Sequence, residues 1–361
     1  MPPAESVLAT RRSRIRVAIE PVQNQLYSML LLNKTDELLG LDQWATRAAA
    51  AIGPARLHTN LLIFEGLFFA VQPNRSWANL DQFIDQLAAL PAEKLRDKVL
   101  HGSGHCEPWQ LPPEEVPDPG MVLASAADYI DHLRRAFPGH DLNIPIEIEA
   151  YELLREPARM QELIVDHLRT VWRDVLEAEW ARVLPVLEEA VAAFQQLDLS
   201  GATMLEAARQ VTGQEVSSKW EQLVSEAAQI NFVPSAHIGP YLGKFNSPQS
   251  LWLIFGARLP KGARTGASAA SRSELIVRLG ALNDDTRLRI LALISQQGEL
   301  CAPEIMARLS LSQSATSRHL QQLSATGYLN ERRRESAKCY SLNRDRIDDT
   351  VSALKLFLAA A

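Results

Sequence analysis

A mainly helical fold with a minor β component is what this sequence predicts, on three observations. Residues 156–196 place apolar side chains at helical spacing for most of their length. Strand-like alternation is confined to a few short stretches. Residues 298–342, GELCAPEIMARLSLSQSATSRHLQQLSATGYLNERRRESAKCYSL, read in order as helix, turn, polar helix and basic hairpin.

From the N-terminus, Ile15 to Ile19 alternates and predicts a short strand. Helices are expected near Pro21 to Leu39, Leu41 to Ala51, Leu80 to Leu90, Ala92 to Leu100, Ala124 to Ala136 and Met204 to Gln210. In the long stretch Glu156 to Gln196, Ile164, Leu168, Val171 and Val175 fall on one stripe. Pro185 has no amide hydrogen and crowds the carbonyl one turn earlier, so it should kink or divide that helix. His101 to Gly120 is rich in proline and glycine and reads as a long loop. Asn231 to Phe255 mixes short apolar runs with Pro, Gly and Ser and predicts a loop-rich hairpin, with a strand at Leu251 to Phe255. Leu259 to Ser273, LPKGARTGASAASRS, has the small flexible residues of a linker. The expected organisation is a helical regulatory, effector or dimerisation domain over residues 1–258, the linker at 259–273, and a small module at 274–361.

In that module the first helix runs from Pro303 to Leu309, with proline tolerated where the amides lack intrahelical partners. Ser310 to Ser312 turn the chain, Ser312 caps a second helix over 313–325, and Gly327 suits the reversal after it. Thr316, Leu320 and Leu323 line the packing side of this helix. The 100° projection turns Ser314, Arg318, Gln321 and Gln322 outward, with Gln313 and Ser317 beside them. These short donors and acceptors with one cation suit base edges and phosphates in a major groove. Tyr328 to Arg334 and Lys338 to Leu342 pair as strands around a tip at Glu335 to Ala337. Arg332, Arg333, Arg334 and Lys338 crowd that tip, where they can neutralise phosphates. A helix-turn-helix followed by such a hairpin is a winged helix-turn-helix.

These residues resemble the ArsR-type winged-helix transcriptional regulators over about residues 273–361. The resemblance is carried by Thr286-Arg-Leu-Arg-Ile-Leu291, Gly298-Glu-Leu-Cys301, Ser317-Arg-His-Leu320 and Gly327-Tyr-Leu329. It implies a homodimer that binds operator double-stranded DNA through two recognition helices and loses or changes that binding when an effector arrives. On this chain it places Gln313, Ser314, Ser317, Arg318 and His319 in the recognition helix and residues 332–338 in the wing. The family's arsenic- and metal-sensing branch keeps two cysteines one residue apart, where this chain has Cys301-Ala302-Pro303. A soft metal wants two or three thiolates, so Cys301 reads as a small packing residue, and no metal or cofactor is expected.

The formal net charge of -6 hides an asymmetry: residues 271–361 hold 13 Lys+Arg against 10 Asp+Glu, and the remainder 24 against 33. A duplex would repel the acidic front part. Three cysteines, at 106, 301 and 339, are too few and scattered for a disulfide framework, which fits a reducing cytoplasm. The N-terminus has no apolar signal core, and the most apolar window, Leu61 to Val71, is about half a bilayer span and contains Glu65. No membrane contact is expected.

Three features of the front domain could carry chemistry. His101, His105, Cys106 and Glu107 cluster in the loop, at a spacing that matches no closed zinc pattern. Glu65 is a lone carboxylate in LLIFEGLFFA, either marking a pocket or reaching a salt bridge at the rim. All seven tryptophans precede the linker, as walls of an effector cavity or as ordinary core. There is no nucleophile elbow, phosphate loop or dinucleotide fingerprint, so no catalytic residue is assigned and the chain is read as a non-enzyme.

Two apolar stripes point to a dimer: Leu275, Leu279 and Leu282 before the module, and Ile347, Val351, Leu354 and Leu358 at its end. A two-fold pair would bury both and set two recognition helices about one DNA turn, ~34 Å, apart. The sequence thus predicts a cytoplasmic, dimeric transcriptional regulator, a repressor by family resemblance although the residues leave repression or activation open, with effector or conformational control in its front domain and a small molecule as one candidate effector. An alternative stays open at this point: a front-domain enzyme or small-molecule binder that uses the winged helix only as a docking or dimer module.

Overall fold

The computed structural model describes residues 14–38, 41–104, 118–138, 140–214, 216, 220–258, 260, 269–334 and 337–359. Their contacts separate two units: Glu20–Lys34 with Trp44–Arg182, and a second that gathers the residues up to Ile19, Thr35–Gln43 and the chain from Val183 onward. No helix among the described residues is long and apolar enough to cross a membrane.

After strand β1 (Ile15–Val17), which belongs to the second unit, the first unit is all helix. It begins with α1 (Pro21–Leu31) and α2 (Gln43–Leu61), the latter broken where Gly53 takes φ 75° and Pro54 follows. That break is why the periodicity seemed to end at Ala51. A π-helical turn (Leu62–Gly66), α3 (Phe68–Val71), α4 (Leu80–Ala89) and α5 (Ala92–Gly104) come next. Asn79 caps α4 by accepting the Gln82 amide hydrogen at 2.9 Å. After α6 (Pro119–Val122), Ser125 caps α7 (Ala126–Ala136), and α8 (Ile144–Arg155) and α9 (Pro157–Val171) complete the packing layers. The expected loop at 101–120 is therefore helical at both ends, while residues 105–117, with His105, Cys106 and Glu107, lie outside the described residues.

Helix α9 packs on α4 and α5 with Met160, Ile164, Leu168 and Val171 buried. Its buried His167 sits 3.0 Å from Asn60 Oδ1, and the Asn60 amide donates to Met29 O at 2.8 Å. Burial holds His167 down to about 4. The long helix expected over 156–196 is divided by a second π-helical turn (Trp172–Leu176), and Pro185 lies inside the following α10 (Glu177–Phe194). The extra residue of the π turn shifts the apolar stripe, so Leu176 is buried where Val175 was expected.

In the second unit, Thr203 and Glu206 form a reciprocal capping box on α11 (Met204–Thr212), which Gly213 ends at φ 73°. Helix α12 (Glu221–Glu226) leads into β2 (Ile230–Ser235), β3 (Leu242–Asn246) and β4 (Leu251–Gly256). The sheet order is β1-β2-β4-β3, parallel except for the antiparallel edge β3. The hairpin expected in 231–255 is thus β3 with β4, while β2 pairs in parallel with β4, Ile230 opposite Leu251. Phe232, Leu253 and Phe255 pack with Phe194, Ala208 and Val211 in one core.

A separate core belongs to the C-terminal module, built from α13 (Ala269–Leu282), α14 (Asp285–Gln297), β5 (Leu300–Cys301), α15 (Ala302–Leu309), α16 (Gln313–Ala325), β6 (Leu329–Arg334), β7 (Ala337–Leu342) and α17 (Arg344–Ala359). Ile290, Ile294, Ile305, Leu320, Leu323, Tyr328 and Tyr340 fill it. The last five residues of the expected linker, 269–273, form the first turns of α13.

Candidate nucleic-acid interface

Helix α15 ends at Ser310, which takes φ 54°. Ser312 then caps α16 by accepting the Ala315 amide hydrogen at 3.2 Å, and the Thr316 hydroxyl donates back to Ser312 O at 2.9 Å. Thr316, Leu320 and Leu323 are buried, which fixes the helix by one side. Gln313, Ser314, Ser317, Arg318 and Gln321 are exposed along the other. Gln322, expected outward, is instead buried: the covered arc of the helix is wider than the Thr316, Leu320, Leu323 stripe alone. His319 is half-buried, 3.7 Å from Asp284, which caps α14. Burial holds its imidazole below the usual value, while Asp284 pulls the other way.

Gly327, at φ 81°, turns the chain into the wing. In the β6/β7 register Arg332 faces Cys339, Arg333 faces Lys338 and Arg334 faces Ala337. Glu299 receives the Arg332 guanidinium on both oxygens, and Arg332 Nη2 lies 2.7 Å from Glu299 Oε1. This pairing keeps the Glu299 carboxyl below the usual range. Lys338 ion-pairs with Glu331 at 2.6 Å, and Arg334 is exposed. The Arg333 side chain and tip residues 335 and 336 lie outside the described residues. Two of the four wing cations thus already have acidic partners within the module, Glu331 from the facing strand and Glu299 from 33 positions away.

The structure also corrects the reading of the cysteines. Cys301 and Cys339 are joined by a disulfide across β5 and β7, so Cys301 is not an isolated packing residue. Only strand register brings together two cysteines separated by 38 positions. Among the described residues no three His, Cys, Asp or Glu stand together in a cluster suited to a metal ion.

The candidates N-terminal to the module are dispersed over both units. Glu65 is exposed on the first π turn. Behind it Glu147 is buried and accepts from the Tyr129 hydroxyl at 3.3 Å. Its carboxyl is pushed up to about 7, chiefly by burial and further by Glu65. Trp44 and Trp252 are buried, and Trp77, Trp172, Trp180 and Trp220 are half-buried.

The apolar stripes separate in the same way. Leu275 is buried within the chain, and Leu282 and Ile347 pack on the module core. Leu279, Val351 and Leu358 remain 36%, 46% and 65% exposed, with Leu354 half-buried among them.

Two helices joined by a tight turn, the second capped and polar on its free side, followed by a basic two-stranded hairpin, define a winged helix-turn-helix protein. The sequence profile of the family described as "Bacterial regulatory protein, arsR family" matches residues 284–331, from the cap of α14 into β6. The chain is 34% identical over 86 residues to the arsenical resistance operon repressor of Staphylococcus aureus, covering 24% of this chain and 82% of that protein. With the arsenic resistance transcriptional regulator ArsR1 of Pseudomonas putida it shares 47% identity over 62 residues, 17% of this chain and 48% of that one. It therefore spans about half the length of that relative. A solved homodimeric winged helix-turn-helix DNA-binding domain from Mycobacterium bovis is 27% identical, covering 27% of this chain and 89% of that one at a TM-score of 0.22. Through its C-terminal module, the chain belongs to the ArsR family of bacterial regulatory proteins.

Proposed function

We propose that this chain is a dimeric DNA-binding transcriptional regulator that reads operator DNA with α16 and grips the flanking backbone with the wing. The observation that carries the reading is the division of α16 into a buried side and an exposed side bearing Gln313, Ser314, Ser317, Arg318 and Gln321, directly before a cationic hairpin. Such side chains can exchange hydrogen bonds with base edges, while the cations act on phosphates. His319 stands at the edge of this face. Arg332 and Lys338 reach phosphates by exchanging a carboxylate for one, and Arg333 and Arg334 complete the wing's share. The names of the relatives, regulators and a repressor, support the regulatory role and favour repression.

Leu279, Val351, Leu354 and Leu358 form the proposed two-fold face. Front-domain control would follow population shift, with an effector acting only through its differential affinity for two arrangements of the paired modules. Neither a metal nor a cofactor enters the proposal.

The test is enrichment of duplexes from a random pool by the full chain, followed by anisotropy titration of the enriched and a scrambled duplex at several salt concentrations. The expected result is tighter binding to the enriched duplex, with affinity to both falling as salt rises. No enrichment and no salt dependence would leave the winged helix a docking module.

A further inference from the structure

We propose that Cys301 and Cys339 are a reversible dithiol–disulfide couple that clamps the wing to the start of α15 and weakens DNA binding when closed. The inference rests on the regulatory reading above. Strand β5 is only two residues long, and its two register pairs are Leu300 with Tyr340 and Cys301 with Cys339. The cysteines are register partners with Cα atoms 3.7 Å apart in the bonded state, so their thiols stay within reach of each other while β5 is paired, and opening the bond loosens only this two-residue edge.

The same bracket carries a charge consequence. Glu299 lies two residues before Cys301, and Arg332 is the β6 partner of Cys339. The covalent link between Cys301 and Cys339 therefore fastens the Glu299 carboxylate to the Arg332 guanidinium, on which it already sits with both oxygens. Closed, the clamp keeps Glu299 as a permanent competitor for a cation that would otherwise neutralise a phosphate. Open, the two-residue β5 edge can part from the wing and surrender Arg332 to DNA.

Exposure decides which sulfur reacts. Cys339 is fully buried and Cys301 half-buried, so a soluble thiolate reaches Cys301 Sγ. Opening by glutathione proceeds by attack of its thiolate on Cys301 Sγ. The Cys301–Cys339 bond breaks, and Cys339 leaves as a thiolate and takes a proton. A second glutathione thiolate attacks the glutathione sulfur of the mixed disulfide, forming glutathione disulfide and releasing Cys301 as a thiolate, which is also protonated. The protein disulfide gains two electrons and two protons, and two glutathiones lose them; closing is the reverse reaction with glutathione disulfide as oxidant. A disulfide in a thiol-buffered compartment is of this transient kind.

The experiment equilibrates the full chain in mixtures of reduced and oxidised glutathione at fixed ionic strength. Intact mass with peptide mapping reads the bond, and anisotropy on one duplex reads affinity. The fraction bonded between Cys301 and Cys339 should follow the glutathione ratio, and the closed form should bind more weakly, by up to roughly eightfold at 0.1 M salt, the worth of one phosphate neutralisation. Cys301→Ser and Cys339→Ser should bind alike in every mixture, Cys106→Ser should respond as the parent does, and Glu299→Gln should keep the bond but shrink the affinity difference. A bond that never opens, equal affinity of both forms, or a Cys301→Ser variant that still responds would overturn the switch alone. No duplex binding by either form would overturn the regulatory reading and the switch together.

Discussion

Substitution of Ser312 separates the stability of the recognition helix from its use. The Ser312 hydroxyl is one acceptor for the otherwise unpaired amides at the start of a 13-residue helix, meeting the Ala315 N–H at 3.2 Å. Ser312→Ala removes it, at a cost of about 1 kcal/mol, which is about a fivefold increase in helix opening. Ser312→Asp keeps the acceptor and adds a negative charge at the positive end of the helix, so stability should return to or exceed the parent by about 0.3–1 kcal/mol. DNA binding should move the other way. Ser312 is exposed beside Gln313 and Ser314, and a carboxylate placed there meets phosphates. The Asp variant should therefore lose affinity, on the order of tenfold, and its deficit relative to the parent should narrow as salt rises. Amide hydrogen exchange over 313–325 measures the first effect and anisotropy the second. Equal exchange in parent and Ala would refute the cap. Stronger binding by the Asp variant would show that the helix start faces away from DNA.

Four further outcomes are expected. Leu323→Ala, at a fully buried position, should cost about 2–5 kcal/mol and strip exchange protection from 285–342 while leaving 144–171 protected. Arg334→Ala should lower the salt slope by about 0.9 on all duplexes alike, whereas Ser317→Ala should change preference at one base position, read by selection from a degenerate pool. Val351→Asp with Leu358→Asp should halve the sedimenting mass, because both side chains are exposed and apolar, without unfolding the module. Glu147 supplies a pH test. Its folded pKa of about 7 lies above the unfolded value of 4.5, so the folded state holds an extra proton in that window. Stability of the helical unit is then lost as pH rises from about 5 to 8, by about 3 kcal/mol in all. Glu147→Gln should flatten that loss in denaturant midpoints. His167, held down to about 4, has the opposite sign, its neutral ring being favoured by folding, and should make the same unit weaken as pH falls below 6.5.

What was legible in the sequence was what is decided locally. Ser312, Gly327 and the Thr316, Leu320, Leu323 stripe each act within a turn or two, and the helix and wing fall within a residue of the expected bounds. Arg318 and Gln321 were placed correctly on the free side, but Gln322 was not, because a helix packed in a groove is covered over more than one stripe. The parallel sheet was hidden for another reason: β2 is buried at every position and so shows no alternation, and β1 pairs with it from the opposite end of the front region. The π turn at 172–176 slips the phase by one residue, a change that a fixed 100° projection cannot register. The cysteine pair and the Glu299–Arg332 bridge are products of register between distant strands.

Arg287 is almost wholly buried and is spent on the end of α13, where it donates to Gly280 O at 3.0 Å and to Ala281 O. Tyr328 holds the same helix from the other side, donating to Arg278 O at 3.1 Å and lying 3.1 Å from the Thr350 hydroxyl. Tyr328 directly precedes β6, and Arg287 follows the Asp284 cap of the helix-turn-helix core. Helix α13 is thus tied by hydrogen bonds both to the helix-turn-helix core and to the root of the wing. Under the proposed function, a displacement of α13 would be passed through these hydrogen bonds to that core and to the wing root together.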